Sequence, residues 1–94
     1  MLIQSVRFVF AAEDADKAES ILRELRDASR KEEGVTAFDV ARSQEKPNVF
    51  VLWEEYRDRA ALDDHMATDH YNRLVLHGVR PLAAQRNGEI AFPI

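Results

Sequence analysis

The first third of the chain changes from a strand pattern to a helix pattern. Residues 2–10 alternate, with Val6, Phe8 and Phe10 on one face and Ile3 and Val9 on the other. Because both faces are partly apolar, we expect both to be covered. The following apolar positions take helical spacing and predict one buried stripe. Its members are Ala18, Ile21, Leu22, Leu25 and Ala28.

The predicted first helix also has start and stop signals. Asp16, with Glu19 three residues later, is the expected N-cap of a capping box. Gly34 is the residue type that commonly ends a helix.

The rest of the chain predicts a hairpin, a helical region and a last strand. Residues 35–43 and 48–56 are strand-like and are separated by a short, turn-rich segment. Asp58 is a good N-cap for a short helix through Met66. Thr68 or Asp69 can start a second helical segment whose last turn contains Pro81, and a fourth strand is expected within residues 85–94.

This order predicts one α+β domain over residues 1–94 with a ferredoxin-like, split β-α-β-β-α-β arrangement. Helices on one face would leave the other face of the sheet uncovered. Val51 and Trp53 on that face are too apolar to leave in water. We therefore expect a homodimer that packs sheet against sheet.

Composition excludes several classes of protein. The chain is 46% hydrophobic and 32% charged, with a formal net charge of -4, which argues against binding to nucleic acid. The absence of cysteine excludes thiolate nucleophiles and zinc–sulfur sites. No apolar run approaches the ~20 residues of a membrane span, and the start alternates like a strand instead of resembling a signal peptide. The cytoplasm is the expected location.

Two histidines stand five residues apart, at His65 and His70. Helical phase places His65 on the core side and His70 in the first turn of the next helical segment. A metal site would use them with Asp69, but their spacing spans a predicted helix break and matches no standard ligand pattern, so no metal is expected. Two interpretations stay open: hydrogen-bonded histidines at a helix junction, or a catalytic role for one of them.

Glu54 is the second candidate for chemistry, because it lies mid-strand on an apolar face. It could be a buried general base, or a structural partner of Arg7 or Arg42. A pocket for a small organic ligand is expected nearby. Its expected binding residues are Phe38, Trp53, Tyr56, His70, Tyr71 and Arg7. No nucleotide, flavin or haem motif occurs, so no cofactor is expected.

At these positions the chain resembles the antibiotic biosynthesis monooxygenase family. Its members combine a Glu-x-Gly motif, a hairpin, a Glu-x-(Trp/Tyr)-x-Asp motif and His-x-x-(Ser/Thr)-x-His-(Phe/Tyr). The corresponding residues are Glu33, Gly34, Glu54, Tyr56, Asp58, His65, Thr68, His70 and Tyr71. The resemblance covers about residues 32–82, and it is the combination of motifs that is specific.

The resemblance implies a dimeric α/β barrel and a cofactor-independent monooxygenase acting on a quinol-like or small aromatic substrate. His65 and Glu54 would be its catalytic residues. A second branch of the family implies an isomerase of a small phosphorylated dione, as in autoinducer-2 phosphate processing, with Arg7, Arg42 or Arg80 as phosphate partner. A third possibility is a non-catalytic dimeric ligand-binding module, since fold does not determine function.

Overall fold

One antiparallel sheet carries helices on a single face. The computed structural model describes all residues from 1 to 94. Its elements are β1 (Leu2–Phe10), a 3-10 turn (Ala12–Asp14), α1 (Ala15–Ser29), β2 (Val35–Arg42), β3 (Val49–Tyr56), α2 (Arg59–Met66), α3 (Asp69–Tyr71), a π-helical segment (Asn72–Val79), α4 (Arg80–Leu82) and β4 (Ala83–Ala91). This confirms the predicted α+β, ferredoxin-like order.

The strand order is β2-β3-β1-β4, so that the two halves of the chain interleave in the sheet. β1 pairs with β3 in a register that places Val6 opposite Leu52 and Phe8 opposite Phe50. β2 and β3 form the expected antiparallel hairpin. The last strand is confirmed, although it begins at Ala83 and not at residue 85.

The core lies between the sheet and the layer formed by α1 and the π-helical segment. Leu22 and Leu25 of α1 pack with Phe10 and Phe50 of the sheet, and all four are at most 2% exposed. Burying one such side chain contributes about 1.5–3 kcal/mol, so this layer holds the helices on the sheet. A smaller cluster of Leu2, Tyr56, Ala61 and Leu62 holds α2.

Two of the predicted helix starts are confirmed and one is wrong. Asp58 Oδ1 accepts a hydrogen bond from the Ala61 backbone N–H at 2.9 Å, and Thr68 Oγ1 accepts from the Tyr71 N–H at 3.2 Å. Asp16 does not cap α1, because the 3-10 turn extends the helical start and α1 already begins at Ala15. Asp16 instead pairs with Arg42 at 3.0 Å.

Gly34 does not end the first helix. α1 stops at Ser29, and Gly34 directly precedes β2. A Cβ at Gly34 would lie only 2.4 Å from the Ala61 Cβ. The glycine is therefore required by the close approach of α2 and not by a helix end.

The second helical region is divided where a single helix was expected. The eight-residue π-helical segment connects α3 to α4, with Pro81 inside α4. Leu74, Val75 and Val79 of this segment are buried in the core cluster. Outside its own helical region, the segment packs mainly against α1.

The longest helix has 15 residues, and none of the helices has both the length and the apolar character needed to cross a membrane.

Candidate active site

The chemistry of the protein centres on a buried carboxyl group, that of Glu54 on β3. Glu54 is 5% exposed, and the Tyr56 hydroxyl donates a hydrogen bond of 2.5 Å to its Oε1. Burial raises the pKa of Glu54 to about 7, although the Tyr56 hydrogen bond and the charge of Arg86 oppose this. A carboxyl with a pKa raised in this way can both take up and release a proton near neutral pH. The alternative of a pairing with Arg7 or Arg42 is wrong, because Arg42 pairs with Asp16 and Glu19 and Arg7 lies on the other face of the sheet.

Tyr56 supports this carboxyl from within the core. Its side chain is fully buried, and burial together with Glu54 raises the pKa of its phenol well above the usual range. Tyr56 therefore stays a hydrogen-bond donor. It was expected among the residues of the pocket, but it is not among those that line the cavity beside Glu54.

His65 lies on the core side of α2, as its helical phase predicted. It is 2% exposed and is enclosed by the rings of Phe38, Tyr56 and Tyr71, with centroids 5.7, 5.4 and 5.3 Å away. Its Nδ1 lies 2.8 Å from Glu32 Oε2. Burial lowers the pKa of His65, against the opposing effect of Glu32. We therefore assign a neutral ring that donates from Nδ1 and leaves Nε2 as an acceptor.

The same oxygen of Glu32 also contacts the second histidine. His70 Nε2 lies 2.7 Å from Glu32 Oε2, so that one carboxylate oxygen joins both imidazoles. His70 does not cap its helix, because Thr68 has that role. The cluster of Glu32, His65 and His70, called here the His–Glu–His cluster, ties the turn after α1 to α2 and α3.

The glutamate of this cluster was missed in the sequence, where Glu33 was assigned to the family motif. The Glu33 side chain is 95% exposed and lies 3.9 Å from Arg57. Glu32 stands two residues before Gly34, which is the Glu-x-Gly spacing itself. The Glu-x-Gly spacing therefore identifies Glu32, and not Glu33, as the glutamate of the motif.

A small cavity lies between the sheet and the helices, beside Glu54 and His65. Its inner volume is about 20 Å³, enough for about one water molecule. Its wall is mostly apolar and is formed by the four strands, α1, α2, α3 and the π-helical segment. The lining residues are Gln4, Val6, Phe8, Leu25, Phe38, Leu52, Glu54, His65, Tyr71, Val75 and Arg86. Phe38 and Tyr71 thus lie where a ligand of this cavity would contact them.

Arg86 is a cavity residue that sequence reasoning did not identify. It stands on β4 opposite Phe8, on the helix-facing side of the sheet, and is exposed because no helix covers β4. Its guanidinium lies over Gly88, where a Cβ would come within 2.8 Å of Nη1. Its charge lowers the pKa of Glu54. The only signal in the sequence was its place in the alternating pattern of the last strand.

Arg7 and Trp53 do not line this cavity, which corrects the expected pocket. Side chains alternate across a strand, and both residues point to the face without helices. There they line a separate open concavity of about 390 Å³, together with Asp39, Asn87 and Glu89. Trp53 is 47% exposed, and its Nε1 donates to Glu55 at 2.7 Å.

Comparison with known proteins shows that the chain is similar to one family. The sequence profile of the family described as antibiotic biosynthesis monooxygenase matches residues 1–75. YcnE of Bacillus subtilis, named as a candidate monooxygenase, is 33% identical over 72 residues, which cover 73% of this chain and 76% of YcnE. Rv0793 of Mycobacterium tuberculosis, with a similar name, is 41% identical over 58 residues, which cover 57% of this chain and 56% of Rv0793.

Solved structures agree in fold over the whole chain. A crystal structure of an antibiotic biosynthesis monooxygenase is 33% identical, with a TM-score of 0.93 over 100% of this chain and 99% of the other. A candidate member from Nitrosomonas europaea is 26% identical, with a TM-score of 0.94 over 100% of this chain and 99% of the other.

Proposed function

Because the chain belongs to the antibiotic biosynthesis monooxygenase family, we propose that it oxygenates a quinol-like or small phenolic substrate that itself reduces dioxygen. One observation carries the proposal. The Glu54 carboxyl is buried, held by the Tyr56 hydroxyl, and open to a cavity walled by aromatic and aliphatic side chains. A base in an apolar cavity suits the deprotonation of a phenol.

In the proposed reaction, ionised Glu54 removes the phenolic proton and makes the ring electron-rich. In its keto form the substrate has a CH₂ group at the activated ring carbon. The phenolate reduces dioxygen at this carbon, and the CH₂ group becomes C=O. One oxygen atom stays on that carbon and the other leaves as water with the two hydrogens. The carbon supplies all four electrons, so the balance needs no other reductant. Glu54 returns its proton when water forms.

His65 and Arg86 are the groups that would orient the substrate. Nδ1 of His65 is held by Glu32, which leaves Nε2 to accept a hydrogen bond from a second hydroxyl group. Arg86 brings a positive charge to the same cavity, where it would stabilise the phenolate. These roles are assigned by chemistry and position.

The cavity must open to admit such a ring, since its inner volume is only about 20 Å³. Arg86 is exposed and Tyr71 is half-buried, so these two side chains can move aside at the edge of the cavity. We propose that the substrate enters there, between β4 and α3.

Oxygen uptake with a panel of reduced quinones and phenols tests this function. Glu54→Gln is expected to lower kcat by about 10²–10⁴-fold, the usual contribution of a general base, and His65→Ala to lower activity as well. Glu33→Gln and His77→Ala, both exposed, are the matched controls. With labelled dioxygen, one atom should enter the product and one the water. The proposal is wrong if no substrate is consumed, or if Glu54→Gln behaves as wild type.

A phosphorylated dione isomerase is the second candidate, and one observation favours it. Arg42 is bound to Asp16 and Glu19 at 3.0 and 3.1 Å and does not line the cavity beside Glu54. Arg86, however, shares the cavity with Glu54 and His65. This function predicts exchange of a substrate proton with solvent deuterium without dioxygen, and loss of phosphate-ester binding in Arg86→Met. Ligand binding without turnover in either assay would indicate the non-catalytic module.

We propose in addition that the open sheet face forms a homodimer. Val51 and Trp53 are 45% and 47% exposed on it, and Arg7 and Asp39, of opposite charge, both line its concavity. In a two-fold dimer, Arg7 of one copy can pair with Asp39 of the second copy, and Asp39 of the first with Arg7 of the second. Trp53→Glu should halve the mass measured by light scattering. A wild-type monomer at micromolar concentration would refute this dimer.

A further inference from the structure

Three segments that are distant in sequence place metal-binding side chains together in the His–Glu–His cluster. Glu32 comes from the turn after α1, His65 from α2 and His70 from α3. One ligand atom of each lies within 4.8 Å of the other two. We propose that the His–Glu–His cluster binds a first-row divalent cation, with Zn²⁺ as the best fit.

The donor set supports this choice of metal. Two imidazole nitrogens and one carboxylate oxygen form the three-ligand set of Zn²⁺ sites that keep a fourth position open to water. Sequence spacing argued against a metal because His65 and His70 flank a helix break and Asp69 was the only acid considered. The structure supplies a different acid, Glu32, and Asp69 is not part of the set.

The distances are close to those of a bound ion. Zn²⁺ bonds of about 2.0–2.2 Å at tetrahedral angles place neighbouring ligand atoms roughly 3.4 Å apart. His65 Nδ1 and His70 Nε2 lie 2.8 and 2.7 Å from Glu32 Oε2. Lengthening these two contacts by roughly 0.6–0.7 Å, and bringing the two ring nitrogens, which lie within 4.8 Å of each other, to a similar separation, would therefore fit the ion. Glu32 can supply this movement because it lies in a turn, outside any helix or strand.

The His–Glu–His cluster is buried on one side and exposed to solvent on the other. His65 is 2% exposed at the bottom, while the side chains of His70 and Glu32 are 20% and 16% exposed at the rim. The rings of Phe38, Tyr56 and Tyr71 hold the His65 ring. An ion can thus enter from water and keep a water ligand on the outer side.

Binding of the ion would also change the hydrogen-bonding role of His65 Nε2 at the cavity. Coordination through Nδ1 places the ring proton on Nε2. His65 then offers the cavity a donor instead of an acceptor. The cation site and the neighbouring cavity are therefore connected through one imidazole ring.

Calorimetric titration of the chelator-treated full chain with Zn²⁺ tests the site directly, without any assay of turnover. We expect one ion per chain, and a tetrahedral visible absorption spectrum when Co²⁺ replaces Zn²⁺. His70→Ala should weaken binding at least about tenfold. His77→Ala, which removes an exposed histidine outside the cluster, should bind as wild type.

Glu32→Gln provides a second variant that preserves the fold. Its amide oxygen can still accept hydrogen bonds from both histidines, but it lacks the negative charge, so Zn²⁺ affinity should fall at least about tenfold while circular dichroism is unchanged. The proposal is overturned if wild type shows no one-to-one binding at micromolar Zn²⁺. It is equally overturned if His70→Ala and Glu32→Gln bind as tightly as His77→Ala.

Discussion

Replacing Glu54 with glutamine should remove a defined part of the pH dependence of stability. The pKa of Glu54 is raised from 4.5 to about 7 in the folded chain, mainly by burial. The folded state therefore holds this proton over a pH range where the unfolded state has lost it. Stability contributed by this group consequently falls as pH rises through that range, and levels off above the folded pKa.

The magnitude follows from the shift. At about 1.4 kcal/mol per pKa unit, the shift from 4.5 to about 7 changes the free energy of unfolding by about 3 kcal/mol in total. About 2–3 kcal/mol of this change occurs between about pH 5 and about pH 8. Glutamine is neutral throughout, and its Oε1 can still accept from Tyr56. Glu54→Gln should therefore become more stable relative to wild type, by that amount, as pH rises.

Urea unfolding of both proteins at several pH values measures this difference. Any pH-independent effect of the amide cancels, because only the change in relative stability with pH is compared. Glu33→Gln is the control, since the Glu33 side chain is 95% exposed and should show no such change. A relative stability of Glu54→Gln that is constant from acidic to alkaline pH would refute the assignment of a raised pKa.

Three substitutions, two of them with a companion variant, test the packing and capping around α2, each by the urea midpoint of unfolding. Gly34→Ala should destabilise by about 1–3 kcal/mol, because its Cβ would meet that of Ala61 at 2.4 Å, and adding Ala61→Gly should restore part of the loss. Leu62→Ala, at a fully buried position, should lose about 2–5 kcal/mol. Asp58→Ala should lose about 1 kcal/mol through its cap, and Asp58→Ser much less. Unchanged midpoints would contradict these contacts.

Much of the fold could be predicted because local pattern and burial agree. The alternation of β1 put Val6, Phe8 and Phe10 on one face, and each is buried. The caps at Asp58 and Thr68 were correct since they depend on residues only three positions apart. The start of α1 was wrong by two residues because the 3-10 turn before it has no such signal.

The candidate site was predictable only in part. Glu54 and His65 were found because a titratable residue on an apolar face is visible in the pattern. Trp53 and Arg7 were wrongly placed with them, since the pocket was inferred from residue type, although the strand pattern had already put Trp53 on the other face of the sheet. Whether these residues meet depends on strand alternation and pairing, and β3 sends Glu54 and Trp53 to opposite sides.

The sequence by itself determined the element order, the buried face of each element and the family motifs. It also determined that the Glu54 carboxylate and the His65 imidazole lie on the core side. Only the tertiary structure decided that Glu32 joins His65 to His70, that Tyr56 holds Glu54, and that Arg86 reaches the same cavity. Glu32 is 33 and 38 residues from the two histidines it contacts. Periodicity reports only which side of its own element a residue faces. Contacts at that separation depend on how the elements pack together.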